Sequence, residues 1–131
     1  MAVGYTRFKV RFQHSPNSDY TDPNVDELVT VSLGQLHRVV FAQEKTMTTA
    51  ESIATIKTDA NNYLAVQNLS GTVTIAATIY ATGVGSRIYT IPINGFLLIP
   101  GVDVTQSTLG GTADAACTAR IWVFAANDTA S

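Results

Sequence analysis

Residues 72–82 read TVTIAATIYAT, and residues 83–101 continue GVGSRIYTIPINGFLLIPG. The first run is built almost wholly from β-branched and small residues, which pack on a pleated surface. It predicts a long strand. Gly83-Val84-Gly85-Ser86 follows as a turn with two glycines free to take positive φ. Residues 87–93 then pair back, with Pro92 marking a break or an edge. Asn94-Gly95 is a strong hairpin signal. Residues 96–99 (FLLI) predict a buried strand, and Pro100-Gly101 a turn.

The same punctuation spreads outward. Residues 63–68 (YLAVQN) predict a strand ended by a turn at Leu69-Ser70-Gly71. Residues 102–109 predict a weaker strand, Gly110-Gly111 a turn, and residues 116–125 (ACTARIWVFA) the last core strand. Towards the N-terminus, residues 5–13 (YTRFKVRFQ) alternate: Phe8, Val10 and Phe12 fall on one face, Arg7, Lys9 and Arg11 on the other. That is the period of a half-buried strand. Residues 14–24 (HSPNSDYTDPN) are rich in turn formers and predict a loop. Residues 25–33 predict a strand closed by Gly34, and residues 35–43 another. In residues 45–57 Thr49 is placed to cap a helical turn through Ala50, Glu51 and Ser52. A strand over 53–57 and a turn at 59–62 follow. The sum is an all-β chain: a single antiparallel β-sandwich or jelly-roll-like domain of about eight short strands. Residues 1–20 form an N-terminal arm or edge strand plus loop, 21–126 the sandwich, and 127–131 a flexible tail.

Composition agrees with one domain. The chain has 131 residues, 46% of them apolar and only 14% charged, against about 25% charged in ordinary domains. Its surface is finished by Thr, Ser, Asn and Gln, as suits strands and a protein covered by neighbours. A net charge of −2 gives no drive towards nucleic acid, which needs clustered cations. The start, MAVGYTRFKVRF, lacks a signal-peptide apolar region, and no run approaches ~18 apolar residues. The expectation is a product assembled in the cytoplasm, neither secreted nor membrane-bound. Cys117 stands alone and reads as a small buried hydrophobe.

No constellation of catalytic type is present. His14 and His37 have no acid or second histidine at ligand spacing, short of the three or four ligands zinc takes. That argues against a small cupin-like enzyme. The acidic stretch 19–27 (DYTDPNVDE) lacks calcium-loop spacing and is interrupted by Pro23. It reads as a solvated loop. Glu44, Glu51, Asp59 and Asp103 are not tied together by any motif. The reading is therefore no enzyme, no metal and no cofactor. Two patterns remain. The arm residues Arg7, Phe8, Lys9, Arg11 and Phe12 read either as an edge strand guarded by like charge or as an arm docking on a partner's sheet or acidic surface. Arg120 and Trp122 share one strand face and read as core or as an alternative ligand face.

Residues 63–75 (YLAVQNLSGTVTI), then 91–101 (IPINGFLLIPG), then 120–124 (RIWVF) make an ordered pattern. It resembles small β-sandwich virion proteins of tailed bacteriophages, the capsid decoration or cement type. The resemblance covers about residues 60–125. There, a strand ending in Asn and a small-residue turn precede a Thr/Val/Ile strand, and apolar strands close the chain. It implies a structural virion protein on the outer surface of a bacteriophage head, stabilising capsomer junctions. The implied partners are the major capsid protein and further copies of itself in a homotrimer. The alternative from the same class of fold is a carbohydrate- or receptor-binding module of a phage tail or fibre.

Overall fold

The computed structural model describes residues 3–53, 62–81 and 84–126, with backbone alone at 3–4, 33–42, 62, 114 and 125–126. Among these residues there are nine strands: β1 (Val3–His14), β2 (Val25–Met47), β3 (Glu51–Ser52), β4 (Asn62–Asn68), β5 (Ile75–Ala81), β6 (Gly85–Ile91), β7 (Phe96–Val102), β8 (Thr108–Gly111) and β9 (Cys117–Ala126). They form a five-stranded sheet, β1-β2-β9-β4-β7, and a four-stranded sheet, β3-β8-β5-β6. Every pairing is antiparallel. The all-β sandwich read from the sequence is the observed class.

Alternation places the core. On β9, Ile121 and Val123 are fully buried while Arg120 is exposed and Trp122 half-buried. On β4, Leu64 and Val66 point inward, and on β5, Ile75, Ala77 and Ile79 do. These side chains meet Ile91, Val102, Val104 and Leu109 in one cluster between the sheets. Burying each large aliphatic stabilises the fold by about 1.5–3 kcal/mol.

Among the described strands only β1–β2 and β5–β6 are consecutive neighbours in one sheet; every other consecutive pair lies in different sheets. Asn94-Gly95 is one of those crossings. The turn forms as expected, with Gly95 N donating to Pro92 O at 2.8 Å and Asn94 at φ 62. Yet β6 and β7 lie in different sheets, so it makes an arch and not a hairpin. Asn68, fully buried, brackets this end. Its Nδ2 donates to the carbonyls of Val73, Ile91 and Pro92, and its Oδ1 accepts from Ser70 N at 2.8 Å.

Several expected boundaries move. Gly34 does not close a strand. β2 runs through it for 23 residues, and the register against β1 slips where Tyr5 pairs with Leu36 but Arg7 with Ser32. A glycine inside a strand commonly marks such a bulge. Pro100 and Gly101 lie within β7, an edge strand that tolerates a missing donor. Gly110 and Gly111 lie in β8 and not in a turn. A Cβ on Gly110 would meet Ala50 N at 2.8 Å, so glycine is needed there for close backbone approach. Thr49 caps no helix, because Glu51 and Ser52 pair with Leu109 and Thr108. The strand expected over 53–57, the turn at 59–62 and the tail 127–131 lie wholly or largely outside the described residues.

Candidate functional site

The first half of β2 pairs only with β1, and the second half with β9. A second irregularity, where Val39 pairs with Phe124 but Phe41 with Val123, sits near the change of partner. Bulges bend and twist a strand. The outcome is a two-stranded ribbon, residues 5–14 against 25–36, that continues past the stretch of β2 paired with β9. The arm expected over residues 1–20 thus has a second strand.

Cross-strand partners share a face, so the register sorts the ribbon's side chains. Phe8 pairs with Val31, Val10 with Val29, Phe12 with Glu27 and His14 with Val25. This face is largely apolar. Arg7 pairs with Ser32, Lys9 with Thr30, Arg11 with Leu28 and Gln13 with Asp26, making a cationic and polar face. At the root, Phe8 packs on the outer face of the five-stranded sheet. Its ring centroid lies 5.4 Å from Tyr63 and 5.8 Å from Phe124. Further out the apolar face has no cover among the described residues. Val10, Phe12, Val25, Val29 and Val31 are 36–54% exposed.

The ribbon tip is closed by its own hydrogen bonds. Ser15 Oγ and Asn17 Nδ2 donate to Thr21 O, and Asn24 N donates to His14 O. Asp19 accepts from Thr21 N and Oγ1, which holds its carboxyl below the usual range. Arg11 grips Asp26 through two 2.9 Å hydrogen bonds, which lowers the Asp26 carboxyl and raises the guanidinium. Two carboxylates of the acidic stretch are thereby used internally. Among the described residues no three His, Cys, Asp or Glu side chains converge. Glu51 pairs with Lys45 at 3.3 Å, whereas Asp103 sits in a separate loop held by Thr105 and Gln106. Asp59 lies outside the described residues, and the His37 side chain is not described. Cys117 is buried, which pushes its thiol up.

Arg120 and Trp122 do share the outer face of β9, with the guanidinium carbon 5.5 Å from the indole centroid. Phe96 lies 6.3 Å from Trp122. A depression of about 430 Å³ opens between this face and the ribbon root, lined by Tyr5, Thr6, Arg7, Phe8, Ala65, Phe96, Trp122 and Phe124. The aromatic residues here are thus outside the sandwich core. The sequence reading singled out the cations and phenylalanines of β1. It missed Val25, Val29 and Val31, which it read only as part of a strand over residues 25–33. No helix among the described residues is long and apolar enough to cross a membrane.

Compared with known proteins, the chain matches no family model and no curated protein. Among solved structures it is similar to a chain from Bacillus endospore appendages, described as forming a family of disulfide-linked pili. The identity is 11% over 95% of this chain and 88% of that one, with a TM-score of 0.35. A likeness at that level assigns neither fold nor function.

Proposed function

We propose that this chain is a non-catalytic structural subunit that docks on a larger assembly through the β1–β2 ribbon. The assembly we assign is the outer surface of a bacteriophage head, with the major capsid protein as partner and further copies of the chain as neighbours in a trimer. The observation that carries the docking role is the ribbon's uncovered apolar face. A two-stranded ribbon is marginal in water on its own, and contiguous apolar patches on monomers usually mark contacts. The virion assignment is supported by the sequence pattern over about residues 60–125. Mechanically, each ribbon reaches beyond its own sandwich. Several weak contacts per subunit raise effective concentration and hold capsomers together.

The test is co-sedimentation with empty expanded heads, comparing the natural chain with a Phe12→Ser/Val29→Ser variant. Both positions are exposed, so the sandwich stays folded. Docking predicts a loss of about tenfold or more in affinity, as expected when an apolar anchor is removed. Unchanged binding removes the proposal.

A second reading keeps the fold but moves the site. The Arg120–Trp122 stack and the neighbouring depression form a carbohydrate-binding face of a tail or fibre module. Binding to a glycan array that Trp122→Ala abolishes, with no binding to heads, favours that reading.

A further inference from the structure

The open edge of β1 carries more information than the apolar face alone. In the sheet order β1 is terminal and pairs only with β2. Its other edge presents backbone donors and acceptors without a partner strand among the described residues. A strand added there would lie about 4.8 Å away and continue both faces of the ribbon. On one face its side chains would meet Phe8, Val10 and Phe12. On the other they would meet Arg7, Lys9 and Arg11. Arg11 is already engaged by Asp26. Arg7 and Lys9 have no ion pair among the described residues, and both are exposed. A depression of about 660 Å³ lies beside them, lined by Tyr5, Thr6, Arg7, Lys9 and Ser32.

A second copy of β1 fits poorly in the antiparallel registers centred near Lys9. When Lys9 faces Lys9, Arg7 faces Arg11, and like charges directly opposite are unfavourable. Shifting by one residue sets each cation against Phe8, Val10 or Phe12. The same charges that keep an edge strand from pairing with itself select a different partner.

We infer that the β1 edge is a strand-addition site for an extended segment of a partner protein in which apolar residues alternate with Asp or Glu. The inference rests on the docking role proposed above and names the chemistry of what docks. Acids two residues apart on the added strand face Arg7 and Lys9, while the intervening apolar residues extend the Phe8–Phe12 face.

The experiment uses the full chain with two synthetic probes, an alternating Val/Glu heptapeptide and its Val/Lys counterpart, followed by fluorescence anisotropy and hydrogen exchange. The Val/Glu probe binds about tenfold tighter at low salt, because two cross-strand pairs change from attractive to repulsive between the probes. Salt closes that gap, and the bound probe slows exchange along β1. In an Arg7→Glu/Lys9→Glu variant, shown folded by circular dichroism, the preference reverses. Equal binding of the two probes, binding of neither, or a preference that survives the charge reversal overturns the inference. If Arg7→Glu/Lys9→Glu binds heads normally while Phe12→Ser/Val29→Ser does not, strand addition is wrong and ribbon docking stands. If both variants bind heads normally, ribbon docking itself falls.

Discussion

Asn68 closes a corner that no apolar residue could close. It is 1% exposed and its side chain serves four backbone groups on two of the arches between the sheets, β4–β5 and β6–β7. Buried backbone groups left unpaired are costly. Asn68→Ala should therefore destabilise the protein by about 2–4 kcal/mol in urea unfolding, well above a surface substitution. Asp103 plays a related part between β7 and β8. Hydrogen bonds from Thr105 and Gln106 hold its carboxyl below the usual range, against the opposing effect of burial. Its backbone bonds also tie in Tyr80 and Ser107. A depressed carboxylate contributes stability above its unfolded pKa, about 4, and loses it as pH falls through the lower folded value. Asp103→Asn should flatten that acid-side loss in urea midpoints measured across this window. The sequence displays Asn68 at a strand end beside a small-residue turn. It does not display the bracket, because Ile91 and Pro92 lie more than twenty residues away and meet Asn68 only once the sheets stack.

Strands were legible wherever period-two alternation met a buried face, as in residues 75–81 and 117–124. Their ends were less so. Gly34, Pro100, Gly101, Gly110 and Gly111 read as breaks, yet all lie inside strands. Glycine and proline are ambiguous there: the same residues serve turns, bulges, edges and close backbone approaches. Asn94-Gly95 shows the limit from the other side. The local turn was readable, but which sheet receives the next strand depends on distant partners. The ribbon is the element that carries the proposed docking role, and Phe8 packs its root on Tyr63 and Phe124. Replacing Phe8 with Ala removes two aromatic contacts, each worth roughly 1 kcal/mol. The expected result is faster hydrogen exchange along β1 with unchanged exchange in β5 and β9. Equal slowing or speeding throughout the chain would mean the ribbon is part of the cooperative core.

At the scale of the molecule, the described residues form a two-sheet sandwich that carries the β1–β2 ribbon. Its inner faces bury a continuous apolar cluster, while Ile88 and Phe96 lie exposed on its outside. On the ribbon one face stays apolar and open while the other concentrates Arg7 and Lys9. Half of this site was readable: the cations and phenylalanines of β1 alternate within nine residues. The valines of β2 were hidden, because an apolar strand reads the same whether its neighbours come from its own chain or from another. Hydrogen–deuterium exchange of the chain bound to empty expanded heads addresses the central claim most directly. Strong slowing confined to β1 and residues 25–32 is the predicted footprint. A footprint over Arg120, Trp122 and Phe96, with the ribbon exchanging as in the free protein, would contradict it.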